Sequence, residues 1–300
     1  MGRILIDNIS KSYGEQPALH NIQLEVPKGE LFGLIGPDGA GKSTLFQILT
    51  TLLKPDEGTA TVADLDTVKD YRKIRQIIGY MPGKFSLYQD LSVEENLDFF
   101  ATIFRTTIEE NYHLIRDIYV QIEPFKKRRA GNLSGGMKQK LALCCALIHK
   151  PVVLFLDEPT TGVDAVSRAE FWDMLDRLKA HNITIVVSTP YMDEASRCER
   201  VALMQEGRIL QLDRPSSIVD GFQEPLYAVR AQEFYRSLQD LRQAHFTKRV
   251  EPFGEFLHLS TSGYFPEEAI AHFLETQGHT AIEVKRTAPT IEDVFLSLTS

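Results

Sequence analysis

Hydrophobic and polar positions along this chain follow two rhythms. Leu31 to Ile35, Val152 to Leu156 and Ile183 to Val187 are continuous apolar runs. They are too short for helices and read as buried strands, the second of them as a parallel strand covered on both faces. Elsewhere the apolar residues recur every three or four positions. Leu45, Ile48, Leu49, Leu52 and Leu53 fall at i, i+3, i+4, i+7 and i+8, which predicts one buried helical face directly after the first run. Met137, Leu141, Ala142 and Cys145 predict another. Ser92 and Glu95 make a capping box ahead of Leu97, Phe100, Ala101 and Phe104, and a further helical stretch runs from Ile108 to Val120. Strands alternating with amphipathic helices predict an α/β sheet protein.

After Ile218 the rhythm changes. EPLYAVRA reads as a strand and QEFYRSLQDLRQAH as a helix with Phe234, Leu238 and Leu241 on one face. FTKRVEP and GEFLHLST form a strand pair about Gly254, PEEAIAHFLETQG a second helix and HTAIEVKR a last strand. The order βαββαβ predicts a small α+β, ferredoxin-like unit over residues 221–300. A closing helix is capped at Thr290 and apolar at Ile291, Val294, Phe295 and Leu298.

Composition narrows the classes little: 300 residues, 43% hydrophobic and 25% charged, suit two domains. A net charge of −8 disfavours non-specific nucleic-acid binding, so no nucleic-acid partner is expected. Cys144, Cys145 and Cys198 lack metal-ligand spacing and read as buried thiols of a reducing compartment. MGRILIDNIS has no signal-peptide pattern, and no apolar run nears the ~20 residues a membrane span needs. A cytoplasmic chain is expected, with any membrane part supplied by another polypeptide.

Candidate chemistry concentrates at three strand or helix ends. Between the first apolar run and its helix lies G-x-x-x-x-G-K-S, Gly36 to Ser43. Glycines let the backbone wrap with its N–H groups inward, and a helix N-terminus adds its positive dipole end. Lys42 can reach the outer phosphates of a nucleoside triphosphate, and the Ser43 hydroxyl can bind Mg²⁺. The second run ends in Asp157, placed for Mg²⁺, and Glu158, placed to polarise an attacking water. Ser134 stands at an N-cap with Gly135 and Gly136 at the helix mouth, a second anion site.

Together these motifs resemble the nucleotide-binding subunits of ATP-binding-cassette (ABC) transporters, over about residues 1 to 220. GPDGAGKS matches the Walker A loop, LSGGM the signature, VVLFLDEP the Walker B strand and TTGVDAVSR the D-loop; Ser134 precedes Asp157 by 23 residues, as in that family. The resemblance implies a P-loop NTPase: a RecA-like parallel sheet with an antiparallel β edge and a helical subdomain at about residues 84–135. It implies ATP and Mg²⁺ as cofactors and a transport-coupled ATPase with Glu158 and Lys42 as catalytic residues. Gly36, Pro37, Asp38, Gly39, Ala40, Gly41, Lys42, Ser43 and Thr44 would bind nucleotide, and Tyr13 would stack on adenine. Ser43 and Asp157 would hold the metal. Ser134, Gly135, Gly136 and Asp164 would act across a dimer in which two cassettes face head to tail, as homo- or heterodimer. PTIEDVFLSL and YMDEASRCERVALMQEGRIL resemble the ATPases of ABC-2-type exporters, the drug and polysaccharide export group. That implies a polytopic membrane permease as partner and a peripheral place on the inner face of the cell membrane, with the permease contact at Gly83 to Glu95.

Two positions depart from the family pattern. After IIGYMP the usual Gln is Gly83, and after IVVST the usual His, which bonds the γ-phosphate, is Pro190. Gln89 lies six residues on, and His181 lies at the opposite end of its strand. Losing one preorganised donor at a transition-state charge costs about 10²–10³ in rate. A site that holds MgATP but hydrolyses it slowly is therefore expected. Competing readings are a regulatory ATP-binding module and a non-transport ABC ATPase acting on ribosomes or DNA. The acidic charge and the single cassette weigh against the latter.

Overall fold

The structure is a computed structural model, describing residues 2–299. It forms two compact units that divide between Pro215 and Ser216.

The first unit opens with a hairpin of β1 (Ile4–Tyr13) and β2 (Gln16–Val26), followed by β3 (Leu31–Ile35) and α1 (Lys42–Leu49). Next come β4 (Glu57–Val62), β5 (Leu65–Asp66), α2 (Tyr71–Ile77) and β6 (Ile78–Met81). A helical stretch holds α3 (Val93–Ile103), α4 (Ile108–Tyr119) and α5 (Gly135–Leu147). β7 (Val153–Asp157), α6 (Ala165–Leu178), β8 (Thr184–Thr189), β9 (Arg200–Gln205) and β10 (Arg208–Asp213) complete it. The main sheet has the order β10-β9-β3-β8-β7-β6. Its strands are parallel except β10, which turns back on β9. A separate antiparallel sheet, β2-β1-β4-β5, is the expected β edge.

All residues of β3, of β7 and of the run Ile183 to Val187 that leads into β8 are buried, as strands covered on both faces require. Leu45, Phe46, Ile48 and Leu49 of α1 pack into that core, with Phe46 edge-on to Phe155 at 5.6 Å between centroids. The predicted α1 face ran on to Leu53. The helix instead stops at Leu49, because Thr51 adopts a left-handed φ of 66°. Leu52 is consequently 59% exposed. In the helical stretch the expected capping box of Ser92 with Glu95 starts α3, and a second one, Thr107 with Glu110, starts α4. The basic run Lys126 to Arg129 is exposed, and Arg129 bridges Ser92.

The second unit begins within α7 (Pro215–Asp220) and continues with β11 (Leu226–Arg230), α8 (Phe234–Gln243), β12 (Thr247–Phe253) and β13 (Phe256–Thr261). α9 (Glu267–Thr276), β14 (Glu283–Arg286) and α10 (Ile291–Thr299) follow. The sheet order β12-β13-β11-β14, antiparallel throughout, is the ferredoxin-like arrangement expected from the element order. Tyr227, Val229, Leu257 and Leu259 share one face of the sheet and meet Leu238, Leu241, Ile270 and Leu274 from the helices, while Leu226, Ala228, His258 and Ser260 on the other face are buried as well. On α10, Ile291, Val294 and Phe295 are buried as expected, whereas Leu298 is 42% exposed.

Candidate nucleotide site

Ligands of open α/β sheets sit beyond the carboxyl ends of the parallel strands. There the register sets Ile35 beside Thr189 and Asp157 beside Ser188. Gly36 leaves β3 with its N–H donating to the Thr189 carbonyl at 3.2 Å. A Cβ on Gly36 would come within 2.1 Å of the Met204 carbonyl oxygen. One on Gly41 would come within 2.6 Å of the Ala18 oxygen, at a backbone φ of +98°. The loop therefore closes only with glycine at both positions. It surrounds a cavity of about 180 Å³ lined by Ala18, residues 38–44 and Glu158.

Lys42, 3% exposed, curls back over the loop. Its ammonium donates to the carbonyls of Gly36 at 2.7 Å and Pro37 at 2.9 Å, and lies 3.4 Å from the Glu158 carboxylate. The Ser43 hydroxyl donates to Asp157 Oδ1 at 3.1 Å, and the Ser188 hydroxyl donates to the same oxygen at 2.5 Å. Glu158 holds a left-handed φ of 49°, a strained conformation for a side chain of this size. Its N–H donates to both the carbonyl and the hydroxyl of Ser188 at 3.0 Å, which pins the strain in place. Ser188 thus holds both the Asp157 carboxylate and the Glu158 backbone, a role that reading the motif alone does not assign.

The donor set fits a triphosphate with Mg²⁺. Mg²⁺ favours one or two hard protein oxygens and takes its remaining ligands from phosphate and water, and Ser43 with Asp157 offers such a pair. Among the described residues no cluster of three or more His, Cys, Asp or Glu could hold a metal alone.

Other candidate residues lie elsewhere in the single chain. Tyr13 is 51% exposed at the β1–β2 turn and does not line the cavity. Ser134 caps α5, its hydroxyl accepting from the Met137 N–H at 3.4 Å. A Cβ on Gly136 would meet the Ser167 hydroxyl at 2.8 Å. Asp164 caps α6 by accepting from the Ser167 N–H at 3.0 Å, and that bond holds its carboxyl below the usual range. None of Ser134, Gly135, Gly136 or Asp164 lines the cavity.

Gly83 passes beside the carboxylates: a Cβ there would lie 3.1 Å from the Asp157 carbonyl oxygen and 3.8 Å from Glu158 Cβ. It brings no side chain. Gln89 is turned to Gly131, whose N–H donates to its carbonyl at 2.9 Å. Pro190, half-buried, follows Thr189 with neither an N–H nor a polar side chain. His181 is in the turn before β8.

A second cavity, apolar and about 340 Å³, lies between the β6 end, α3 and α5, with Met81, Leu87, Phe100, Phe104 and His149 among its walls. His149 stacks on Phe104 at 3.7 Å, and its Nε2–H donates to the Ile78 carbonyl at 2.9 Å. Burial pushes the imidazole down to about 4, so it is neutral at pH 7. Its Nδ1 has no partner. The three cysteines are buried and free, as expected, and burial raises each thiol.

A glycine loop opening a helix, a Walker-type carboxylate pair and a parallel sheet define a P-loop nucleotide-binding protein. Residues 19–161 match the ABC transporter family. The probable multidrug ABC transporter ATP-binding protein YbhF of Escherichia coli is 38% identical over 290 residues, 95% of this chain. The chain spans 49% of the length of that relative. Nod factor export ATP-binding protein I of Rhizobium sp. (strain N33) is 33% identical over 308 residues, all of this chain and 98% of its own. Among solved structures, cbiO1 of Clostridium perfringens, part of the ABC transporter complex cbiONQ, superposes with a TM-score of 0.65 at 28% identity. That match covers 73% of this chain and 90% of the other. A dimeric ATP-binding cassette bound to ADP and Pi gives 0.63 at 28%, over 70% and 98%. The chain belongs to the ABC transporter family. Among its described residues, no helix is long and apolar enough to cross a membrane.

Proposed function

We propose that this chain binds MgATP at the Gly36–Thr44 loop and energises an ABC-2-type membrane exporter, with slow hydrolysis at its own site. Lys42 would exchange its loop carbonyls for phosphate oxygens. Ser43 and Asp157 would hold Mg²⁺, which offsets phosphate charge. Glu158, freed from Lys42, would accept a proton from the attacking water. The nucleotide's other face would be covered by Ser134, Gly135, Gly136 and Asp164 of a second cassette, with Tyr13 at the adenine. A polytopic permease would dock a short helix in the apolar cavity between α3 and α5, beside Gly83 to Glu95, on the inner face of the membrane.

The observation that supports a slow site is that neither Gly83, beside the Asp157 carbonyl, nor Pro190, next after Thr189, brings a polar side chain to the Asp157–Glu158–Ser43 array. Two lost donors need not cost the sum of their separate effects, because residues acting as a unit are non-additive. ATP binding and opening would still do work through the difference in affinity between open and closed dimers. Single-turnover hydrolysis by the purified chain tests this, with Glu158→Gln as the dead control. The expected rate is at least about 10²-fold below that of a cassette carrying both side chains. Turnover of several per second by this chain alone, on the ~10 s⁻¹ scale of ordinary enzymes, would overturn it.

A further inference from the structure

Glu194 is a carboxylate at 3% exposure with no role in the nucleotide chemistry above. Its neighbours come from three separate segments. The Thr160 hydroxyl donates to it at 2.9 Å, just past the Asp157–Glu158 pair. The Thr189 hydroxyl, at the end of β8, donates at 2.6 Å. Arg168, one turn into α6, donates its Nε–H at 3.1 Å. Thr160 and Thr189 are themselves buried. Arg168 also stacks on Tyr191 at 4.1 Å and pairs with Asp193 at 3.2 Å, while the Tyr191 N–H donates to Thr189 Oγ1. The Pro190 turn is thereby fastened to α6 on both sides, although Pro190 can make no polar side-chain bond of its own. From α6 the contacts continue, since Ser167 packs directly on Gly136 at the mouth of α5.

We infer that Glu194 is a positioning residue that locks the segment after Glu158, the Pro190 turn and the first turn of α6 into one body. Occupancy of the chain's own phosphate loop is thereby felt at Asp164 and Gly136. The physical route is short. Nucleotide displaces Lys42 from Glu158; the strained Glu158 backbone leads through Pro159 to Thr160; Thr160 shares Glu194 with Arg168. The buried carboxylate makes this link stiff, because leaving the Glu194 charge without Arg168 and the two hydroxyls in the interior is costly. The assignment rests on the reading that this loop binds MgATP.

Amide hydrogen exchange on the full chain, with and without MgATP, tests it alongside calorimetric MgATP affinity. In the wild type, MgATP should slow exchange at residues 161–168 and at Tyr191. In Glu194→Gln, affinity should stay within about threefold, while the nucleotide-dependent slowing at residues 161–168 disappears. Basal exchange there should quicken by about tenfold or more with the β7 amides unmoved. Arg168→Gln should give the same phenotype, and the double variant should be no worse than either single, the mark of one shared interaction. Nucleotide-dependent slowing retained in Glu194→Gln overturns the assignment. So does quickening spread evenly over the β-sheet, which would mean a general loss of stability. A wild type that binds no MgATP overturns instead the nucleotide reading on which it rests.

Discussion

At the scale of single residues, the proposed slow site turns on Gly83 and Pro190, neither of which carries a polar side chain. The two positions are not equivalent. Pro190 ends a buried strand and is half-buried beside a turn already held by Thr189, Glu194 and Arg168. A larger polar side chain there needs no backbone N–H that proline has removed. Gly83 is tighter, since any Cβ must press on the Asp157 carbonyl from 3.1 Å and shift the strand end that carries the metal-site carboxylate. Pro190→His should therefore raise the single-turnover rate by about tenfold or more, within the range one restored donor supplies. MgATP affinity should hardly move. Gly83→Gln should gain less and lower the melting temperature. Rate measurements on the two variants and their combination check this; a Pro190→His enzyme no faster than the wild type would show that the missing histidine does not limit hydrolysis.

Elements were legible in proportion to how local their causes are. The apolar runs of β3, β7 and β8 and the capping box of α3 depend on neighbours within a few residues, and they form where expected; the capping box of α4 is equally local, Thr107 with Glu110, and went unread. The length of α1 was overestimated because the periodicity persists through Leu52 while the backbone turns left-handed at Thr51. Nothing in the hydrophobic spacing encodes that turn. The Glu194 cluster escaped for a different reason: Thr160, Arg168, Thr189 and Glu194 share no periodicity and meet only once β7, α6 and β8 have packed. Ser188, just past the run Ile183 to Val187, escaped for the same cause: it meets Asp157 and Glu158 only once β7 and β8 pair. α10 shows a further link of this kind. Its Asp293 accepts from the Thr290 N–H at 2.8 Å and hydroxyl at 2.7 Å, and His258 Nδ1 on β13 lies 2.8 Å from its other oxygen. Burial alone would raise the Asp293 carboxyl, but the bonds from His258 and Thr290 outweigh it and hold the carboxyl below its ordinary value. A depressed carboxyl contributes stability that is fully present above the unfolded pKa, about 3.9, and is lost as pH falls through the lower folded value. Amide exchange of α10 should thus quicken below about pH 4. Asp293→Asn should show fast α10 exchange at neutral pH already, with little further change on acidification; an acid response identical to the wild type would remove Asp293 as its cause.

At the scale of the whole molecule, the nucleotide cavity and the ferredoxin-like unit are separate structural problems. Every residue lining the phosphate cavity lies between Ala18 and Glu158, and the strands that carry it, β3, β7 and β8, belong to a sheet closed by β10 before Pro215. The core beneath it is likewise drawn from Ile4 to Leu212. Because a domain holds its own site when core and lining come from the same compact unit, a chain ending at Pro215 should fold and bind MgATP within about threefold of full-length affinity. Calorimetric titration of the two forms is the direct comparison. The second unit carries its own core around Tyr227, Leu241, Leu257 and Ile270 and contributes no group to the cavity, so its removal should leave the enthalpy of nucleotide binding unchanged as well. A loss of affinity beyond about tenfold, some 1.4 kcal/mol, would mean that residues after Pro215 shape the phosphate loop. The assignment of binding to Gly36–Thr44 and Glu158 alone would then have to be given up.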